Sequence, residues 1–433
     1  MRIQDNLSLI SWTVLDKAIY FIFGFITILI INHTTSYEFG LYSLLVFLNS
    51  WIFTVGDSFA LNTIIQFGMQ EKNNAKVNFF AIINLIVWSL LISILFYLFQ
   101  DPLSLIFNES GIKRVANLTP LLSLTFIPRT FTLKLMYRER NMKYVFLNNL
   151  AFFGTISILV IIMIIQHNSL DFNNLSTFYL TGAFISSVTG LILCRKHLKF
   201  STMGEISIRE LFDFSLRITY TNVLHTIPKQ IDVFLVKLFF STENVGLYSA
   251  AKNLFRLFDE AINAIYGLLY PTAVKYVQLN DKLSLQKLIN KISSFIFWIF
   301  TFISVFVLSP IGRIVLELIF PISYIQSLHY FKLMVLVTPL LSFISFYSAI
   351  TAENKLKLLF KGVLFANIGF FISTFVVGLG NYEQLLPLGL ILFFIIFSLI
   401  GLFYGIKNYD YNLKYIFIAF QDTINFIKSK KNS

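Results

Sequence analysis

The chain alternates between long apolar runs and short polar breaks, and the length of the runs points to the architecture. FIFGFITILII (21–31) and LILFFIIFSLIGLFYGI (390–406) are close to continuously apolar. A helix needs roughly 20 apolar residues to cross the hydrocarbon core of a bilayer. On that basis twelve spans are expected, at about residues 8–31, 39–64, 78–99, 115–133, 144–165, 175–194, 211–239, 246–270, 291–310, 328–351, 362–379 and 386–406. The breaks between them are too short to hold a soluble catalytic domain. The longest, around 271–290, is expected to form an interfacial helix. After residue 408 the pattern changes. Leu413, Ile416, Phe417, Phe420, Ile424 and Ile427 recur at helical spacing with polar residues between them. This predicts an amphipathic helix lying on a membrane face, with Lys430 and Lys431 near anionic lipid headgroups.

Composition agrees with the pattern. Hydrophobic residues make up 56% of the chain and charged ones 13%, against about 25% charged in soluble domains. The expected fold class is therefore an all-α integral membrane protein. The net charge of +12 is distributed by topology. Lys113, Arg114 and Arg313 are the only cations in the odd-numbered breaks, whereas KLMYRERNMK (134–143) and RKHLKFSTMGEISIR (195–209) are strongly basic. By the positive-inside rule both termini and the even-numbered breaks are cytoplasmic, so the basic balance does not imply a nucleic-acid partner. The N-terminal MRIQDNLSLISW runs into an apolar stretch that contains Asp16 and Lys17 and has no small-residue cleavage site. It reads as the first helix rather than a signal peptide. Cys194 is the single cysteine and the five histidines are scattered, so neither a disulfide nor a metal site is expected.

Gly-Leu-Tyr-Ser occurs at 40–43 and again at 246–249, each time at the start of the second helix of a six-helix half. At the same offset of 206 residues, Asp57 aligns with Asn263. Six helices per half is an even number, so both halves enter from one side. This predicts a parallel repeat about an axis along the membrane normal, with a cavity between halves. The expected divisions are a lobe at 1–206, a lobe at 207–407 and a tail at 408–433.

Ionisable residues inside spans are costly and by default suggest function. Here they are Asp16, Lys17, Asp57, Arg129, Arg217, Lys229, Asp232, Lys237, Lys252, Arg256, Asp259, Glu260 and Lys332. Lys237 and Arg217 sit near span ends, where snorkelling to the headgroups is the simpler reading. In VGLYSAAKNLFRLFDEAINAIYG, residues Lys252, Arg256, Asp259 or Glu260, and Asn263 share one helix face. Arg256 can pair with either acid, and Lys229 with Asp232 at i, i+3, so local ion pairs compete with a ligand for these charges. Pro228 and Pro128, beside Lys229 and Arg129, are candidate hinges. Cations outnumber acids in the spans, which suits a phosphate or pyrophosphate group. The acids Asp16, Asp57, Asp232, Asp259 and Glu260 are left to balance the field or to take up a coupling proton or sodium ion.

The twelve spans in two halves, the FGLYS and VGLYSAAKNLFRL helix starts and the basic intramembrane set resemble the Wzx-type O-antigen or capsular polysaccharide repeat-unit flippases. These form the polysaccharide-transporter branch of the multidrug/oligosaccharidyl-lipid/polysaccharide (MOP) exporter superfamily. The resemblance covers essentially the whole chain. It implies two six-helix lobes of MATE-like fold, no covalent chemistry and no cofactor. It also implies passage of undecaprenyl-pyrophosphate-linked oligosaccharide across the bacterial inner membrane, alongside polymerase and chain-length proteins. Carried over by position and chemistry, Lys229, Lys252, Arg256, Arg129 and Lys17 would bind the head group. A cation-coupled drug or metabolite antiporter of the same superfamily is the alternative, and acid-only cavities would favour it. A membrane polymerase would need a large catalytic loop, and a major-facilitator transporter a Gly/Asp/Arg-rich second loop unlike QFGMQEKNNAKV.

Overall fold

The computed structural model of the protein describes residues 3–353, 355–412, 414 and 416. Most of the expected amphipathic tail, including Leu413 and everything from Phe417 onward, lies outside these residues. The described chain is almost entirely helical, with its longest non-helical connection at residues 195–207. Its long helices are Ile3–Asn32, Ser36–Gln66, Glu71–Leu98, Gly111–Arg138, Met142–Ile165, Phe172–Cys194, Ile208–Gln230 with Asp232–Phe239, Thr242–Gln278, Lys282–Leu308, Leu356–Leu379 and Leu388–Tyr409.

Among the described residues, eight helices are long and apolar enough to cross a membrane, and the pair Ile322–Val335 and Thr338–Ala352, bent by 46°, can serve as a ninth. Three more are long enough but too polar for that test: Gly111–Arg138, Ile208–Gln230 and Thr242–Gln278. These three carry Arg129, Lys229, and the Lys252–Asn263 face. They bring the total to the twelve that the apolar runs imply. Average hydropathy scores a helix without regard to which of its faces meets lipid, so polar side chains turned toward protein or water lower the score of a genuine span.

Local chemistry sets the starts. Thr35 accepts from the Glu38 N–H and Ser207 from the Glu210 N–H, both in the Ser/Thr-x-x-Glu pattern of a helix N-terminus. The expected interfacial helix at 271–290 is not a separate element. Helix Thr242–Gln278 runs on past its membrane segment, and the next begins at Lys282, where Asp281 caps through the Ser284 N–H. Two short helices do lie between spans. Gln100–Ile106 follows the third long helix of the first half, and Pro310–Ile319 follows its counterpart Lys282–Leu308. Both present exposed Leu and Ile side chains, as interfacial helices do.

The chain divides into two compact units, Met1–Ser249 and Ala250–Ser433. In the first, Gly111–Arg138, Met142–Ile165 and Phe172–Cys194 pack together, with Ile3–Asn32 against the second of these and Glu71–Leu98 against the first. In the second, Leu356–Leu379 and Leu388–Tyr409 pack along their length, and Lys282–Leu308 packs on the bent pair.

The two Gly-Leu-Tyr-Ser copies meet inside the first unit. A Cβ at Gly40 would overlap the Thr242 carbonyl oxygen, and one at Gly246 would overlap the Ser36 carbonyl oxygen. In each case the clashing oxygen lies four residues before the other copy's glycine. Residue i meets j while j meets i, which is the signature of a local twofold axis. The backbones can approach this closely because neither glycine has a side chain.

Candidate functional site

Polar assemblies form around Arg129 and around Asp57 in the first unit. In the first, Asn149 joins opposite charges. The Arg129 guanidinium donates to its carbonyl oxygen at 2.8 Å, and its amide donates to the Asp16 carboxylate at 2.8 Å. Arg129 also lies over the Phe152 ring, 4.4 Å from the centroid, and Asp16 is buried. The cation and the acid thus share a single amide. Lys17, the next residue, is exposed and sits over the Tyr20 ring at 5.3 Å.

The second assembly surrounds Asp57. The helix Ser36–Gln66 carries a turn of π-helix at Asp57–Leu61, a feature frequent at functional sites. Lys134 donates to both Asp57 carboxylate oxygens at 2.9 Å and to Asn62 at 2.9 Å. The apolar pattern makes Lys134 the first residue of a basic loop, but the helix continues to Arg138. Beside this turn Asn222 donates to Ser58, and Gln230 donates to Ser50 and Thr54. These contacts bind the π-turn helix to Ile208–Gln230.

Pro228 lies inside Ile208–Gln230, and the helix breaks at Ile231, three residues later. Pro128 lies inside the unbroken Gly111–Arg138. Asp232 starts the segment after the break. It accepts from the Val233 N–H at 2.9 Å and from the Tyr248 hydroxyl at 2.6 Å. Tyr248 is the tyrosine of the second Gly-Leu-Tyr-Ser. Lys229 is half-buried just before the break.

Lys237 does not snorkel. It is 4% exposed and lies 3.9 Å from Glu109, in the turn before Gly111–Arg138. Glu109 accepts from the Thr242 hydroxyl at 2.5 Å, the Tyr37 hydroxyl at 2.9 Å and the Gly111 N–H at 3.0 Å. Burial pushes the Glu109 carboxyl up, but these hydrogen bonds and the Lys237 charge outweigh it, and its pKa falls below the ordinary 4.5. A depressed carboxylate contributes stability above its unfolded pKa and loses it as pH falls through the folded value. Glu109→Gln should therefore lower the thermal unfolding midpoint by an amount that is constant through neutral pH. The difference from wild type should shrink only below about pH 4.5, and a gap that closes between pH 6 and 8 would contradict the assignment.

In the second unit Thr242–Gln278 carries a charged face that ranges from half-buried to exposed. Arg256 pairs with Glu260 at i, i+4, with a nitrogen–oxygen distance of 3.5 Å and side-chain exposures of 54% and 39%. Lys252 and Asp259 are half-buried on the same helix. The pair is long and only partly buried, so an anion offering two charge-assisted hydrogen bonds can compete with the glutamate for Arg256.

This fold is that of known membrane transporters. The chain matches an inward-facing multidrug-resistance MATE family transporter of the MOP superfamily with a TM-score of 0.68 and 13% identity, over 92% of this chain and 98% of that one. It matches the lipid II flippase MurJ in an inward closed conformation with a TM-score of 0.70 and 14% identity, over 96% and 93%. The eukaryotic MATE transporter AtDTX14 gives 0.61 and 15%, over 96% and 98%. No curated protein matches significantly. A family model described as polysaccharide biosynthesis protein matches residues 34–327. The chain belongs to that family, and it is a multi-pass membrane protein of MATE/MurJ-like fold.

Proposed function

We propose that the protein is a flippase for lipid-linked oligosaccharide. It would carry undecaprenyl-pyrophosphate-linked repeat units from the cytoplasmic to the outer leaflet of the bacterial inner membrane by alternating access, without covalent chemistry. Its termini would lie in the cytoplasm, and polymerase and chain-length proteins would take over the product. The observation that carries this reading is the half-exposed Arg256 on a membrane helix of a polysaccharide-biosynthesis family member. A cation placed there costs roughly 2.5–3.5 kcal/mol on insertion scales, a cost that binding a pyrophosphate can offset. The MurJ fold likeness, whose own described cargo is lipid II, supports the same class.

The test is complementation in a strain deprived of its own repeat-unit flippase. Arg256→Glu and Lys252→Glu should each lower polysaccharide export at least tenfold, the equivalent of one lost charge-assisted contact of about 1.5–3 kcal/mol. Arg256→Lys should retain part of it, and immunoblots of membranes should show equal insertion. Full export by both charge reversals would overturn the assignment.

A further inference from the structure

Where Leu388–Tyr409 ends and Leu356–Leu379 begins, the two helices leave a groove of about 410 Å³. Leu358, Ile400 and Phe403 form an apolar wall, and Lys355, Lys407 and Asn408 line its polar end. Phe403 is 66% exposed. From the groove the exposed stripe Phe365, Ile368 and Ile372 continues along Leu356–Leu379, a surface suited to acyl chains rather than water.

The polar end is constructed. Lys355 donates to Glu353 at 2.7 Å and to the Tyr404 hydroxyl at 3.1 Å. Glu353 accepts in turn from Tyr404 at 2.5 Å and from Tyr409. Glu353 neutralises Lys355, which leaves Lys407, exposed and with no acidic partner among the described residues, as the uncompensated charge. Lys357 and Lys361 are exposed on the first turns of the adjoining helix, which adds positive charge to the same end of that helix. The chain beyond Tyr409 does not cover the groove as far as it is described. Tyr411 bonds Ser294 and the Ile416 carbonyl accepts from Trp298, both on Lys282–Leu308, which lines no part of it.

We propose that this groove binds one anionic phospholipid, with its phosphate at Lys407 and an acyl chain along Phe403, Ile400 and Leu358. Interfacial lysines attract anionic headgroups, and the wall supplies the apolar contact that a free phosphate would not use. Lipid binding at this groove does not depend on the proposed transport function and is measured without it.

The full-length protein in detergent is titrated with dioleoyl phosphatidylglycerol or dioleoyl phosphatidylcholine, and adducts are counted by native mass spectrometry. Wild type should prefer phosphatidylglycerol, and Lys407→Glu should weaken that adduct about tenfold. Lys196→Glu, the same charge change on an exposed lysine of the other unit, should leave it unchanged. Phe403→Ala keeps every charge and should weaken both lipids. Equal binding of the two lipids, equal loss in Lys196→Glu, or no loss in either groove variant would overturn the site. If phosphatidylglycerol binds only after residues 417–433 are deleted, the occupant is the tail and the proposal fails. Full export by Arg256→Glu and Lys252→Glu with lipid binding intact would count against the transport reading alone.

Discussion

Gly40→Ala and Gly246→Ala should each sharply lower both the thermal unfolding midpoint and polysaccharide export, while Gly24→Ala does neither. At Gly40 and Gly246 the new methyl group meets a backbone carbonyl, of Thr242 and Ser36 respectively. A carbonyl within a helix cannot rotate aside as a side chain can, so the helices must part. Overpacking of this kind costs about 1–3 kcal/mol and occasionally more. Separation would also pull Thr242, the hydroxyl donor to Glu109, away from its partner. At Gly24 the methyl group meets nothing within 4 Å, and replacing a mid-helix glycine by alanine is worth about 0.5–1 kcal/mol in favour of the helix. The double variant Gly40→Ala/Gly246→Ala supplies a second check. Once one methyl has parted the helices the other finds room, so its loss should fall well short of the sum of the two single losses. Additive losses, or a Gly24→Ala defect as large as the others, would remove the shared crossing as the cause.

Much of this fold is legible in the apolar runs, and the failures have identifiable physical causes. The run at 390–406 reads directly as a helix because it is apolar almost throughout and packs on the apolar helix Leu356–Leu379, and hydropathy measures that character. Gly40 and Gly246 are legible as a repeat but not as a contact, since only coordinates show that the two copies touch. Lys134 is misplaced by the apolar pattern because hydropathy ends a span at the first charge, whereas backbone hydrogen bonding continues the helix to Arg138. Side chains on a helix tilt toward its N-terminus, so a lysine near the C-terminal end reaches back along the helix, here to Asp57. Arg138 makes the same point. In sequence it belongs to a basic topology signal, yet its side chain is 2% exposed, with hydrogen bonds to Asn74, Asn78 and Glu139. Glu109 gives no sequence signal. Its partners Tyr37, Lys237 and Thr242 lie 72, 128 and 133 residues away in the chain.

Lys134→Met should destabilise the protein more than the double variant Lys134→Met/Asp57→Asn. The single variant strands a carboxylate that is one-third exposed and had accepted both of its bonds from one amine. Removing one partner of a fully buried pair costs about 3–5 kcal/mol, and the partial exposure of Asp57 brings the expected loss to roughly 1–2 kcal/mol. In the double variant the stranded charge is gone, the new side-chain amide can still bond Asn62 or solvent, and most of the loss should return. A thermal-unfolding cycle over the four proteins should give a coupling of about 1 kcal/mol or more; additivity would show that the pair does not act as one. Export separates structure from function. The Asp57–Lys134 pair sits on a π-turn bound to Ile208–Gln230 through Asn222 and Ser58. A purely structural pair predicts that the double variant regains export along with stability. A coupling carboxylate predicts the reverse, and that is the result expected here: stability returns and export does not, because an amide at position 57 cannot gain and lose a proton or hold a sodium ion as the carboxylate can.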